Sequence, residues 1–286
     1  MGPAASARPW SEPNMPELPE VETTRRGVAP WVEGVRVTGV EVRERRLRWP
    51  VPPRLPRELP GRRLLAAERR AKYLLFRVEG GRNLMVHLGM SGSLQVLPGP
   101  RPARPHDHLD IALESGRLLR FNDPRRFGSF HWFAGEPARH PLLAGLGPEP
   151  LGQDFTADYL AGACRSRRMA IKQHLMNSRI VAGVGNIYAS EALFLAAIHP
   201  ARAAGRIGRP RLAALVCAVR EVLEAAIRQG GTTLRDFAWG EGKPGYFRAE
   251  LTVYERQGEP CLRCGTPIRA VVQGQRATYY CPRCQR

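Results

Sequence analysis

Residues 261–286 read CLRCGTPIRAVVQGQRATYYCPRCQR. They carry four of the chain's six cysteines, as Cys261-x2-Cys264 and Cys281-x2-Cys284 with sixteen residues between the pairs. Two such knuckles match the four-thiolate zinc pattern, because each tight turn offers two sulfurs and two turns close one tetrahedron. The stretch between them has strand composition, with Gly274 placed for a turn, so a zinc-clamped β-hairpin is expected. The segment is too short to fold on apolar burial alone, and one structural Zn2+ would supply much of its stability. The alternatives are two disulfides or an iron site; a reducing cytoplasm disfavours disulfides. With Cys261, Cys264, Cys281 and Cys284 all engaged, no coordination position is left for metal catalysis. The tail also bears Arg263, Arg269, Arg276, Arg283 and Arg286, which suit phosphate contact or simply solvate a small surface. Cys164 and Cys217 lie in apolar-periodic stretches and read as buried small hydrophobes.

The 286 residues ahead of and including this tail allow two domains with real cores. No apolar run approaches the roughly 20 residues of a membrane span, and the opening MGPAASARPWSEPN lacks the apolar core of a signal peptide. A cytoplasmic location is expected. The formal net charge is +18, mostly from arginine, whose planar fork suits bidentate phosphate contact. An arginine-rich chain also follows from a GC-rich genome, so charge alone points to nucleic acid without settling it.

Upstream of the tail the pattern changes twice. PEVETTRRGVAPWVEG reads as a helix, with Pro19 in its first turn and Gly34 at its stop. Alternation follows: Val35, Val37, Val40 and Val42 bracket Gly39, a candidate bulge. KYLLFRV and NLMVHLGM are strand-like runs joined by EGG, HLDIALESGRLLRFND is a hairpin bending at Ser115-Gly116, and GSFHWFA is a further strand. Residues 16–145 therefore form a mostly β domain of two packed sheets. Residues 146–155 read as a Gly/Pro-rich linker. Helices follow over 156–250: TADYLAGAC capped by Thr156, RMAIKQHLM, NIYASEALFLAAIH stopped by Pro200, and RPRLAALVCAVREVLEAAIRQGG with Pro210 at its start and Gly230 past its end. TTLRDFAWGEGKPGYF reads as a mobile Gly-rich loop. Residues 251–286 close the chain, and the fold class is α+β.

Gly183 and Gly185 precede the helix beginning near Asn186. Glycines permit close backbone approach, and free amides at a helix N-terminus attract a phosphate. The signal is weak by itself, since no third glycine or preceding strand makes it a dinucleotide fingerprint, and GEGKPG lacks the Ser/Thr of a nucleotide loop. A helix–turn–helix unit clamping DNA backbone fits, with Arg168 and Lys172 just upstream.

The motifs PELPEVE, RRAKYLL, HLGMSGSL, HDHLDI, DPRRFG, GPEPL, AGVGNIYASE, GGTTLRDF, GKPGYF and QRATYYCPRCQ, in this order from Pro16 to Arg286, resemble the formamidopyrimidine-DNA glycosylase family. The resemblance implies a bifunctional 8-oxoguanine glycosylase/AP lyase. Its architecture would be an N-terminal β-sandwich with one early helix, a helix–two-turn–helix region and a zinc-finger β-hairpin, with DNA between the halves. Partners would be damaged double-stranded DNA, with no membrane and no small-molecule cofactor, and the protein would be a monomer.

By the same resemblance Pro16 attacks C1′ of the deoxyribose as a secondary amine, Glu17 donates a proton at the sugar, and Lys72 and Arg276 contact phosphate and assist β- and δ-elimination. Glu20 helps to place the chain start, unless it only complements the helix dipole. Met90, Arg125 and Phe127 fill the gap left by the extruded base: two apolar wedges and one hydrogen-bonding group for the orphaned cytosine. Without the resemblance, Met90 and Phe127 would read as core. His106, Arg168 and Asn186 match DNA-binding positions, and residues 243–247 match a lid over the base. His106 and His108 stand two apart on a strand, but no further metal ligand is evident.

The resemblance starts at Met15, preceded by fourteen residues. If these stay attached, the Pro16 nitrogen is a tertiary amide whose lone pair is delocalised, and it cannot form an iminium. Residues 1–15 are therefore expected to be absent from the mature protein. If they persist, a DNA-binding protein without lyase activity results. An endonuclease VIII-like activity on oxidised pyrimidines is the other alternative, and PELPEVE with DPRRFG favours purines.

Overall fold

A computed structural model describes residues 16–230 and 251–286, and of 231–250 only the backbone of 238–239 and 243–244. Helix α1, Leu18–Val32, has a proline in its first turn, and Gly34 follows its end at φ +74°. Eight antiparallel strands follow in two four-stranded sheets. The first sheet orders β1 (Val37–Val42), β6 (Asp107–Leu113), β7 (Leu118–Asn122) and β5 (Ser93–Leu97). The second orders β2 (Leu64–Arg70), β3 (Tyr73–Val78), β4 (Arg82–His87) and β8 (Ser129–Ala134). The register slips between Val37 and Gly39, the expected bulge. Leu109, Ile111, Leu119 and Phe121 of one sheet pack against Leu64, Phe76, Leu84 and Phe130 of the other, and Val21, Val28 and Val32 of α1 close the end. Phe121 meets Phe130 edge to face at 5.0 Å across this core.

Short helices α2 (Leu55–Glu58) and α3 (Pro141–Ala144) decorate the sandwich. The helical region holds α4 (Ala157–Cys164), α5 (Ile171–Met176), α6 (Asn186–Leu195) and α7 (Arg209–Arg228). Thr156 caps α4 by accepting the Tyr159 amide at 3.1 Å. Helix α6 stops at Leu195, five residues short of the expected breaker Pro200, because Ala197 turns into the left-handed region at φ +56°. Two-residue strands β9 (Ala238–Trp239) and β10 (Lys243–Pro244) pair, and the zinc-finger hairpin is β11 (Arg269–Gln273) with β12 (Arg276–Tyr280). The expected lid, 243–247, otherwise lies outside the described residues. No described helix is long and apolar enough to cross a membrane.

One expectation needs correction. Cys164 is buried, but Cys217 is exposed: Leu215, Val216 and Val219 face the core, and Cys217 falls on the outer side of α7. Residues 146–155, read as a linker, are tied to both halves. The Glu149 carboxylate accepts from Arg69 at 2.6 Å, Arg70 at 2.8 Å and the Ala71 amide at 2.6 Å, and Phe155 is buried in the helical core. The two halves also share more than this link, since Leu18 of α1 belongs to the same apolar cluster as α6, α7 and Cys261.

Candidate active site

The site forms where the first turn of α1 meets the first turn of α6. Glu17 directly precedes α1, and its carboxylate accepts the Ile187 amide at 3.0 Å and the Tyr188 amide at 3.5 Å. These are the free amides expected to hold a phosphate; in the structure a carboxylate of the same chain takes them. Gly183 and Gly185 are required for a different reason than expected. A Cβ on Gly185 would stand 2.2 Å from the Glu17 carboxyl carbon, and one on Gly183 2.9 Å from Leu18. Both glycines let the head of α1 dock, and the Leu18 amide donates to the Gly183 carbonyl at 3.3 Å. Glu20 accepts the Glu17 amide at 2.9 Å and the Tyr188 hydroxyl at 2.6 Å, so it ties the head of α1 to α6.

Pro16 and Glu17 are buried here, Glu17 at 3% exposure. Burial pushes the Glu17 carboxyl above its ordinary range; the charge of Lys72 and the two amides oppose this, and Glu20 adds to it. Lys72 follows Ala71, which is held at φ +53° by the hydrogen bond to Glu149. Desolvation brings the Lys72 ammonium below its ordinary range, with Glu17 opposing and Arg276 assisting. Lys172 is fully buried on α5 and donates to the Ala277 carbonyl at 3.0 Å and to Thr278 Oγ1 at 2.8 Å. Burial and Arg276 bring it down to about 7 against the pull of Glu17. Glu17 thus pulls both lysines up, and Arg276 pushes both down.

Asn186, first residue of α6, donates to the Tyr254 hydroxyl at 3.3 Å and the Ala277 carbonyl at 3.1 Å, leaving its buried Oδ1 without a protein partner. Glu191, one turn on, accepts the amides of Thr252, Val253 and Tyr254 at 2.8–3.0 Å. Helix α6 therefore fixes the head of α1 at its tip and residues 252–254, which lead into the zinc finger, along its side.

Met90, Arg125 and Phe127 lie away from that corner on two loops of the sandwich, β4–β5 and β7–β8. Met90 is half-buried and Phe127 is 38% exposed, so neither is a core residue. The Arg125 guanidinium lies 5.0 Å from the Phe127 ring. His106 is exposed at φ +73°, and Arg168 is exposed ahead of α5. His108 is turned away from any metal role, its Nε2 bonded to the Asp123 carbonyl at 2.8 Å. Sequence reasoning missed Asp123, Ser91, Glu149, Glu191 and Tyr188. All are polar groups whose partners are distant in sequence, and spacing carries no such signal.

At the tail, the four cysteine sulfurs lie within 4.8 Å of one another, with Cys261–Cys284 at 3.9 Å and Cys264–Cys281 at 3.5 Å. Zn–S bonds of about 2.3 Å give tetrahedron edges of about 3.8 Å, so the donor set fits zinc. The amides of Arg263 and Cys284 each donate to a cysteine sulfur at 3.4 Å, the knuckle arrangement that steadies a thiolate. Among the described residues this is the one cluster of three or more potential ligands.

A β-sandwich, a helical unit and a zinc finger that converge on a buried acid beside a proline define a DNA-binding glycosylase of base-excision repair. Family models agree in three parts: the formamidopyrimidine-DNA glycosylase N-terminal domain matches residues 15–130, its H2TH domain 146–238, and the zinc finger found in FPG and IleRS 258–286. The formamidopyrimidine-DNA glycosylase of Thioalkalivibrio sulfidiphilus is 61% identical over 272 residues, 95% of this chain and 100% of the relative. That of Syntrophotalea carbinolica is 58% identical over the same shares. Among solved structures, the MutM (Fpg) protein of Thermus thermophilus superposes with TM-score 0.83 at 42% identity, covering 94% of this chain and 98% of that one. The Lactococcus lactis Fpg bound to DNA containing an abasic site does so with TM-score 0.87 at 32% identity, covering 95% and 100%. The chain belongs to the formamidopyrimidine-DNA glycosylase family.

Proposed function

We propose that this glycosylase excises oxidised purines, 8-oxoguanine and formamidopyrimidines, from duplex DNA and nicks the resulting abasic site by β,δ-elimination. The observation that carries the reading is the buried Glu17 carboxyl at the tip of α6, next to Pro16 and facing Lys72.

The lone pair of a free Pro16 nitrogen attacks C1′, the bond from C1′ to the base breaks with its electrons leaving on the base, and the departing base takes up the proton that the proline nitrogen sheds. Glu17, its pKa raised by burial, gives a proton to the sugar ring oxygen as the ring opens. The iminium that remains keeps a fixed positive charge, because the proline nitrogen retains both ring bonds. That charge acidifies the C2′ proton; its removal expels the 3′ phosphate, and a second elimination expels the 5′ phosphate. Lys72 and Arg276 supply positive charge for the leaving phosphates, and Lys72, its pKa lowered, exchanges protons at lower cost. Met90, Arg125 and Phe127 occupy the duplex space vacated by the base, and His106, Arg168 and Asn186 hold phosphates. Bound zinc would order the hairpin that carries Arg276; the four thiolates of Cys261, Cys264, Cys281 and Cys284 would hold it.

The chemistry requires Pro16 to be the first residue of the working protein. The family match begins at residue 15, which supports removal of the preceding segment. A secondary amine at a chain start has a pKa of roughly 8, leaving a useful neutral fraction. The test is excision from 8-oxoguanine:cytosine and thymine glycol duplexes side by side. Faster release of 8-oxoguanine is expected, and preferential release of thymine glycol would refute the substrate assignment.

A further inference from the structure

Asp123 is wholly buried, yet it sits within the loop DPRRFG that carries Arg125 and Phe127. Its Oδ1 accepts the Ser91 hydroxyl at 2.6 Å and its Oδ2 accepts the Gly128 amide at 2.7 Å. Ser91 in turn accepts the Arg125 amide at 3.1 Å, so its hydroxyl bridges the two loops. The Asp123 backbone reaches a third loop. Its amide donates to the His106 carbonyl at 3.0 Å, and its carbonyl accepts from His108 Nε2 at 2.8 Å and from the Arg126 amide at 3.2 Å. A Cβ on Gly89, next to Met90, would stand 2.4 Å from the Phe127 carbonyl carbon, so the loops touch backbone to backbone.

The loops of Met90, Arg125 and Phe127 therefore meet at one buried carboxylate, and His106 is bonded to the backbone amide of the same residue. Two of the loops also adopt backbone that a residue with a Cβ seldom takes, at His106 (φ +73°) and Arg126 (φ +58°). Such turns persist only when neighbouring bonds over-determine them, and Asp123 bonds directly to both. A carboxylate suits the junction because it offers two acceptor oxygens to two converging donors, in a place that water does not reach.

We propose that Asp123 and Ser91 are positioning residues that pre-set Met90, Arg125 and Phe127 in the geometry needed to enter the duplex, so that wedge insertion requires little loop reordering. The proposal rests on the wedge role given to those three residues above. It concerns insertion and leaves the amine chemistry untouched.

The test uses the full chain freed to Pro16, with Ser91→Ala as first variant. It removes one oxygen from a half-buried site and leaves the sheets intact. Asp123→Asn, which keeps the shape but replaces one acceptor oxygen by a donor, is the second. Insertion is read by the fluorescence of 2-aminopurine placed opposite a tetrahydrofuran abasic analogue, and chemistry by release of 8-oxoguanine opposite cytosine. Ser91→Ala is expected to hold Tm within about 2 °C, to lower the 2-aminopurine rise at saturating protein, and to slow excision roughly tenfold. In a Met90→Ala/Phe127→Ala background, where only Arg125 is left to position, it should cost clearly less. An unchanged fluorescence rise in both variants, or the same loss in both backgrounds, overturns the proposal. A wild-type protein that raises the fluorescence yet releases no 8-oxoguanine defeats the substrate assignment and leaves the positioning proposal standing on the fluorescence. A wild-type protein without any rise defeats the wedge role and the positioning proposal with it, whatever its release of 8-oxoguanine.

Discussion

The Glu17 carboxylate accepts the amide of Ile187 at 3.0 Å, joining the start of the β-sandwich half to the first turn of α6. One residue thereby serves as hinge pin between the halves and as the acid of the proposed reaction. Burial alone would leave it a poor anion, and two helix amides with Lys72 nearby draw it back toward ionisation. Burial thus holds its proton more firmly than an exposed carboxyl would, which suits a proton donor.

Glu17→Gln removes the proton and keeps the shape and one acceptor oxygen. Base release from an 8-oxoguanine duplex should fall by roughly 10²–10⁴-fold, with Tm little changed. Single-turnover rates check this; a loss under tenfold would leave Glu17 with a purely structural role.

Gly185→Ala places a methyl group where the Glu17 carboxyl carbon stands. The carboxylate must leave the Ile187 and Tyr188 amides, and activity should drop at least roughly a hundredfold while the helical core stays folded. Excision rate and circular dichroism measured together separate this from general unfolding.

Lys172 gives a stability signature. Its folded-state pKa is depressed to about 7, whereas an unfolded lysine titrates near 10.5. Between those values the unfolded chain binds more protons, so the contribution of Lys172 is full above about 10.5 and is lost as pH falls toward 7. The advantage of Lys172→Met over wild type in unfolding free energy should therefore shrink as pH rises from 7 to 10.5, by at most about 1.4 kcal/mol per pH unit. A pH-independent difference in denaturant midpoints would contradict the burial argument.

Metal removal should act on the tail first. Purified protein should contain one zinc per chain, and Cys281→Ser or a strong chelator should unfold residues 251–286 and abolish binding to abasic-site duplex. The sandwich strands should keep their hydrogen-exchange protection, since their core lies apart from the cysteines.

The zinc hairpin, six of the eight sandwich strands and the four principal helices were legible because each carried a local signal. Such signals were paired cysteines, alternation beside a Gly turn, or a 3.6-residue apolar stripe. Strand β2 was not, because LLAAERR is made of helix formers; its place is fixed by pairing with β3 and by contact with α1, a tertiary override of propensity. Strand β5 is short, and its burial comes from neighbours remote in sequence. The Gly-x-Gly signal before α6 pointed to a phosphate at the helix tip, and composition could not say that Glu17, some 170 residues away, would take those amides. Asp123 was invisible for the same reason: its importance lies in what converges on it.

The central claim is that a freed Pro16 nitrogen beside Glu17 performs the chemistry. Borohydride trapping on an 8-oxoguanine:cytosine duplex tests it most directly, comparing protein beginning at Pro16 with protein that retains residues 1–15, each confirmed by intact mass. A covalent protein–DNA adduct mapped to Pro16 in the first form and none in the second is the predicted result. Equal trapping by both forms, or no adduct from the protein beginning at Pro16, would contradict it.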